Sequence, residues 1–289
     1  MLSKVTLLGQ LDQGQGCVLL LGGFDGLHIG HRRLVERAKE YGLPIGAMTI
    51  LGGKDGQGLF TLDERMTIFQ DSGVDFAFKL DFLKIKDLTP TEFVGLLLKN
   101  FDVKAFVCGD DFRFGKCALG TPETLKEVGR VRVEVEELVQ VGGEKVSSSV
   151  IKGLLEQGEI EAANILLGER FFLLGNVVKD RQVGRTIGFP TANIVYPNEK
   201  FPLKTGVYET RVTVDGKEYK GITNYGARPT FDDSTVCTET YLDGFNGDLY
   251  GRKLRVEFAR RLRDICKFED VEALQKQLTE DIGRVRNHD

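Results

Sequence analysis

The sequence predicts two architectures in succession: a doubly wound α/β half with a mostly parallel sheet, then an antiparallel β-barrel with a terminal helix. Three observations carry this. Up to residue 168, short apolar runs alternate with amphipathic segments, the pattern of repeated βαβ units. From Phe171 to Phe258 the apolar period falls to two, with Asp-Gly and Asn-Gly turns between runs, the pattern of antiparallel strands. The chain has 289 residues, enough for roughly two domains at about 150 residues each. The boundary is expected after Gly168, giving segments 1–168 and 169–289.

The elements follow in order. Cys17–Leu21 is wholly apolar between Gly16 and Gly22 and reads as a buried parallel strand. After the glycine-rich stretch Gly22–Gly30, His31–Tyr41 places Leu34, Val35 and Ala38 on one helical face, and Gly42-Leu43-Pro44 stops it. Ile45–Ile50 is the next strand, Thr61–Ser72 a helix and Phe76–Leu80 a strand. Thr89–Asn100 opens with a Thr cap and Pro90 and buries Phe93, Val94 and Leu97. Strands at Ala105–Cys108 and Val131–Glu136 flank a helix at Thr121–Val128, and helices Ser148–Gln157 and Ile160–Leu167 complete this half. Beyond it, Val207–Val214, Tyr219–Asn224 and Leu254–Phe258 alternate as strands, with turns at Asp215-Gly216 and Asn246-Gly247-Asp248. A last helix spans Val271–Arg286.

Composition narrows the function. Hydrophobic residues at 41% and charged residues at 28% fit a packed globular chain rather than a disordered or fibrous one. Glycine is enriched, at 35 of 289 residues against about 7% on average, which suits close backbone approach to phosphates. A net charge of −4 supplies no basic surface for nucleic acid. No apolar run is long enough to cross a membrane, and the N-terminus does not read as a signal peptide. Five scattered cysteines, none spaced C-x-x-C, argue against a disulfide framework or a structural zinc site. A cytoplasmic protein without membrane or nucleic-acid partners is expected.

Five stretches carry chemistry. The first is Gly22-Gly23-Phe24-Asp25-Gly26-Leu27-His28-Ile29-Gly30-His31. Two of the chain's three histidines stand here at i and i+3, on one side of a first helical turn. A helix N-terminus attracts anions, and two imidazole N–H donors there could hold triphosphate oxygens and stabilise a pyrophosphate leaving group. The alternative is a helix cap with two surface histidines. The others are Gly109–Gly115 at a strand end, Lys145–Lys152 with its three consecutive serines, and the paired stretches Gly184–Asn193 and Thr238–Gly251. Serine hydroxyls and helix-terminal amides can grip phosphates while a cation neutralises them, although an ordinary serine-capped helix reads the same way.

The first stretch, G-x-F-D-G-x-H-x-G-H, resembles the nucleotidyltransferase motif of the prokaryotic bifunctional riboflavin kinase/FMN adenylyltransferase (FAD synthetase) family. Gly109-Asp110-Asp111-Phe112-Arg113-Phe114-Gly115 is similar to that family's G-x-[DN]-F-x-F-G. Lys145-Val146-Ser147-Ser148-Ser149-Val150-Ile151-Lys152 resembles its R-[VI]-S-S-T-x-I-R, and Gly184-Arg185-Thr186-Ile187-Gly188-Phe189-Pro190-Thr191-Ala192-Asn193 its flavokinase signature. The stretch from Thr238 to Gly251 is similar to a segment whose glutamate is a general base. The resemblance implies a nucleotidyltransferase half that turns FMN and ATP into FAD and pyrophosphate. There His28 and His31 are catalytic, and Gly23, Phe24, Asp25, Asp111, Lys145, Ser147, Ser148, Ser149 and Lys152 bind nucleotide. It implies a kinase half that makes FMN from riboflavin and ATP, with Gly184, Arg185, Gly188, Thr191 and Asn193 on ATP and Glu239 as base. Thr191 and Asn193 face the same way in an extended segment, and as neutral oxygen donors they suit Mg²⁺.

Some positions depart from the pattern. A P-H-P turn usual after the Met48-Thr49-Ile50 strand is replaced by Leu51–Gly58; Ser149 stands for Thr, Lys152 for Arg, and Gly23 for a frequent Asn. In the second half Asp180 and Asp243-Gly244 depart from the pattern. Because the N-terminal half departs more, a riboflavin kinase with a weakened or inactive N-terminal domain stays open, as does a flavin- or nucleotide-responsive binding protein without turnover.

Overall fold

The structure is a computed structural model that describes residues 5–12, 14–51, 56–137, 139–179, 188–227 and 236–288. The chain packs as two units, Met1–Ser148 and Ser149–Asp289.

The first unit is built on a six-stranded sheet of order β1-β4-β3-β2-β5-β6. Its strands are β1 (Val5–Gly9), β2 (Gly16–Leu21), β3 (Ile45–Leu51), β4 (Phe76–Asp81), β5 (Asp102–Gly109) and β6 (Arg132–Glu136). From β2 to β6 all pairings are parallel, and β1 joins the β4 edge antiparallel. Residues 17–21 are buried to the last residue, as a strand covered on both faces requires. The helices are α1 (Ile29–Lys39), α2 (Leu62–Asp71), α3 (Phe82–Ile85), α4 (Pro90–Asn100) and α5 (Pro122–Gly129). Thr61, Thr89 and Thr121 each close a capping box, and Pro leads α4 and α5, which fixes where these helices begin. The sheet grows in opposite directions from β2, so the crevice beyond the C-terminal ends of β2 and β5 is its topological switch point.

A short hairpin, β7 (Gln140–Val141) with β8 (Glu144–Lys145), precedes α6 (Ser148–Gln157) and α7 (Ile160–Leu167). Both helices pack with the second unit, earlier in the chain than the expected division after residue 168. The change from helical to strand periodicity is a local signal, whereas packing is set by contacts such as Asn164. Its amide donates to the Phe258 carbonyl at 2.8 Å and accepts from the Phe171 N–H at 2.7 Å.

The second unit is a six-stranded, wholly antiparallel sheet of order β10-β13-β12-β11-β14-β9. Its strands are β9 (Phe172–Asn176), β10 (Thr191–Val195), β11 (Gly206–Val214), β12 (Lys217–Ala227), β13 (Val236–Leu242) and β14 (Lys253–Arg263). Its end strands curl back together: Val178 bridges to Asn193, and a Cβ on Gly175 would stand 2.4 Å from Ile194. The interior face carries Tyr208, Tyr225, Val256 and Phe258. It also carries a ladder of buried hydroxyls, Thr210 to Thr223 to Thr240, at 2.9 Å each. Asp215 and Gly216, both at positive φ (52° and 77°), form the β11–β12 turn, as Asp-Gly favours. The Asn246–Asp248 turn lies instead in the connection from β13 to β14, which are not neighbours. The terminal helix α8 (Val271–Arg286) lays Ile282 and Val285 on Ile222, on the outer face of β12.

Candidate active sites

The first site stands at the switch point. The turn after β2 delivers His28 as the N-cap of α1: its Nδ1 accepts the His31 N–H at 3.3 Å. This imidazole cap starts the helix at Ile29, ahead of the expected His31. The two rings stack at 3.6 Å and 16°. His31 Nδ1 lies 2.9 Å from the Gly26 carbonyl. Burial pushes the His28 pKa down to about 4; its own backbone and Asp111 offset part of this, while Lys145 adds to the lowering. Burial and then the neighbouring His28 push His31 down to about 3, with the Gly26 hydrogen bond partly opposing. Both rings are therefore neutral at pH 7.

Neutrality fixes the protons. His28 Nδ1 is an acceptor, so its proton sits on Nε2 and is free to donate. The Gly26 carbonyl can only accept, so His31 carries its proton on Nδ1 and its Nε2 is bare. The expected pair of imidazole donors is thus one donor and one acceptor until His31 is protonated.

Asp111, from the segment after β5, pairs with Lys145 at the end of the β7–β8 hairpin, and both charges act on His28. The structure therefore gathers His28, His31, Asp111 and Lys145. Ser147 and Ser148 end the first unit, Ser148 opening α6; Ser149 and Lys152 belong to the second, where Lys152 Nζ lies 5.4 Å over the Phe201 ring. Gly23 is exposed at the turn. Phe24 is wholly buried. Asp25 is half-buried and engaged with Arg65 and the Leu59 N–H. No motif in the sequence singles out Arg65.

The second site lies on the outer face of the barrel. Strand register sets Asn193 of β10 opposite Glu239 of β13, and Glu239 opposite Asn224 of β12. Directly opposed residues share a face, so two amides flank one carboxylate. Two residues along, Thr191 opposes Tyr241 and Tyr241 opposes Ile222, so Thr191 and Asn193 do face the same way. Asn193 is buried, and Thr191 and Glu239 are half-buried. Phe189 meets Tyr241 edge-on at 5.4 Å beside the Ile222–Ile282–Val285 cluster, giving the row an apolar neighbour. Asn224 joins the row through register. Glu257 of β14 is bound up with Arg170 and Arg255 at 3.2 and 3.0 Å. Gly188 is exposed at the head of this segment; Gly184, Arg185, Asp180 and residues 52–55 of the Leu51–Gly58 stretch lie outside the described residues.

The folds and the placement of these side chains define a class: a nucleotide-using transferase with two separately built units. Comparison makes the class specific. A family model described as FAD synthetase matches residues 10–150, and one described as riboflavin kinase matches residues 167–288. The bifunctional riboflavin kinase/FMN adenylyltransferase of Bacillus subtilis is 33% identical, over 91% of this chain and 90% of its own length. That of Escherichia coli K12 is 33% identical, over 95% and 93%. A crystal structure described as a macrolide-efflux protein from Streptococcus pneumoniae superposes with a TM-score of 0.86 at 31% identity, over 98% of this chain and 96% of that one. Among the described residues no helix is long and apolar enough to cross a membrane. The chain belongs to the bifunctional riboflavin kinase/FMN adenylyltransferase family. With a match in each half, the bifunctional reading is favoured over a kinase alone.

Proposed function

We propose that the chain makes FAD from riboflavin in two consecutive ATP-dependent steps, and that the residues gathered above perform them. In the second unit Glu239 accepts the proton of the ribityl 5′-hydroxyl as that oxygen bonds to the γ-phosphorus of ATP. The bond from that phosphorus to the β–γ bridging oxygen breaks, giving FMN and ADP. The observation that carries this reading is the Asn193–Glu239–Asn224 register, which sets a base between two amides on one face. Thr191 and Asn193 offer neutral oxygens that suit Mg²⁺ arriving with ATP, whose phosphates supply the negative ligands. Bound there, the ion would neutralise charge on the β- and γ-phosphates. Phe189 and Tyr241 offer a wall for the flavin ring, and Gly184, Arg185 and Gly188 are assigned to ATP by their place in the signature.

In the first unit a phosphate oxygen of FMN attacks the α-phosphorus of a second ATP, and pyrophosphate leaves. An FMN phosphate is anionic at neutral pH, so no side-chain base is needed. The α1 amides and the His28 Nε2–H meet the departing charge. His31 becomes a second donor on taking up a proton, which a bound triphosphate favours. Lys145, Asp111, Ser147 and Ser148 complete the nucleotide site of this unit. On this reading segment 1–168 serves adenylyl transfer and 169–289 serves the kinase, in the cytoplasm, where free cysteines persist.

The test is to incubate the protein with riboflavin, ATP and Mg²⁺ and separate the flavins. FMN followed by FAD is expected, with neither formed once the ion is chelated. FMN alone would leave only the kinase, and unchanged riboflavin would refute both steps.

A further inference from the structure

Phe24, Asp25 and Gly26 each rest on α2 or on the residues leading into it. The Phe24 ring meets Phe69 edge-on at 6.5 Å. Asp25 Oδ1 pairs with Arg65 Nη2 at 2.5 Å. The Phe60 ring lies beneath Gly26, where a Cβ would stand only 2.8 Å from it. Arg65 and Phe69 are one turn apart and so share a face of α2. The pair is well enclosed, with the Arg65 side chain 8% and the Asp25 side chain 20% exposed. Both partners also hold backbone. Asp25 Oδ2 accepts the Leu59 N–H at 2.9 Å, and Arg65 Nε donates to the Phe60 carbonyl at 3.0 Å. Arg65 Nη1 reaches the buried Thr49 hydroxyl at 3.4 Å, tying the group to β3.

The other side of this tripeptide touches the catalytic pair. The Phe24 ring stands edge-on to His31 at 4.7 Å, and the Gly26 carbonyl faces His31 Nδ1 at 2.9 Å. Phe24 holds φ at 38°, left-handed backbone that a bulky residue keeps only where its surroundings impose it. A buried ion pair is weak evidence for stability, and its best-attested use is to fix one arrangement. Here the arrangement fixed is that of a catalytic ring.

We propose that the Asp25–Arg65 pair is a positioning latch for adenylyl transfer: it locks the Gly26 carbonyl and Phe24 against α2 and so holds His31 in one ring orientation and one tautomer. The proposal rests on the reading that the first unit adenylylates FMN. Asp25 and Arg65 do not touch substrate in this role; they act through His31.

Three histidines in the chain make the tautomer directly readable, by ¹⁵N–¹H correlation of histidine-labelled, full-length protein. The wild type should show His31 as the Nδ1–H form alone. Asp25→Asn and Arg65→Met should each mix the two forms at His31 and lower kcat for FMN adenylylation by about 10²-fold, as a misplaced catalytic group does. KM for ATP should move far less, and riboflavin phosphorylation by the same molecule should hold its rate. Arg65→Lys, which keeps the charge and loses the fork, should fall between. A mixed His31 tautomer in the wild type would overturn the latch. So would a His31 spectrum unchanged in the variants, with or without lost activity. If the wild type forms no FAD from FMN, the functional reading fails while the spectra still decide the latch. Should Arg65→Met fail to fold, the Arg65→Lys and wild-type spectra decide it.

Discussion

Acidification should unsettle the first unit through its two histidines, and the size of the effect follows from their burial. An unfolded histidine titrates near 6.5, whereas the folded rings stand at about 4 for His28 and about 3 for His31. The sign is fixed by this order. Above 6.5 both states are neutral and nothing is lost; below it the unfolded chain binds protons that the folded unit refuses. Stability therefore falls with pH until the folded values are reached. At pH 5 each ring accounts for about 2 kcal/mol at 1.36 kcal/mol per pH interval, or about 4 kcal/mol together. That is a large part of the about 5–15 kcal/mol that holds a domain. Hydrogen exchange over β2 and α1, corrected for intrinsic rates, would measure it between pH 7.5 and 5. The comparison is a His28→Asn, His31→Asn variant, which keeps a cap and a side-chain N–H but does not titrate. The wild type should lose about 4 kcal/mol more than the variant over this range. Equal losses in the two proteins would refute the burial argument.

Three further outcomes can be checked on the same molecule. Glu239→Gln should lower riboflavin phosphorylation by about 10²- to 10⁴-fold, the usual worth of a general base, while added FMN is still adenylylated; a stopped-time assay of each flavin reads both. His28→Ala with His31→Ala should do the reverse, with FAD formation falling by at least about 10²-fold and FMN formation kept. Loss of both reactions in that variant would contradict independent sites. Gly175→Ala drives a methyl group into Ile194 where β9 closes on β10, and should lower the stability of the second unit by about 1–3 kcal/mol, seen as an earlier loss of kinase activity on heating.

Local signals were legible and long-range ones were not. The bounds of α6, α7 and α8 agree residue for residue with the apolar periodicity that predicts them, because 3.6-residue patterning is written within each segment. β1 went unread: five residues at a sheet edge, paired antiparallel to β4, carry too little pattern to declare themselves. Glu239 stood out by its surrounding motif, but its place between Asn193 and Asn224 depends on register among three strands. Phe24 and Asp25 sit in a motif that suggests ligand contact. Only the return of α2 brings Phe69 and Arg65 beneath them and shows what they support. The same holds for the histidines: their spacing announced a shared face, while their proton positions depend on the Gly26 carbonyl for His31 and on the His31 N–H for His28.

Two labels on ATP separate the proposed steps most directly. With riboflavin as the starting flavin, phosphorus from the γ-position should appear in FMN and persist in FAD. Phosphorus from the α-position should enter FAD and never FMN. Label from the α-position in FMN, or none from either position in FAD, would contradict a chain that phosphorylates with one unit and adenylylates with the other.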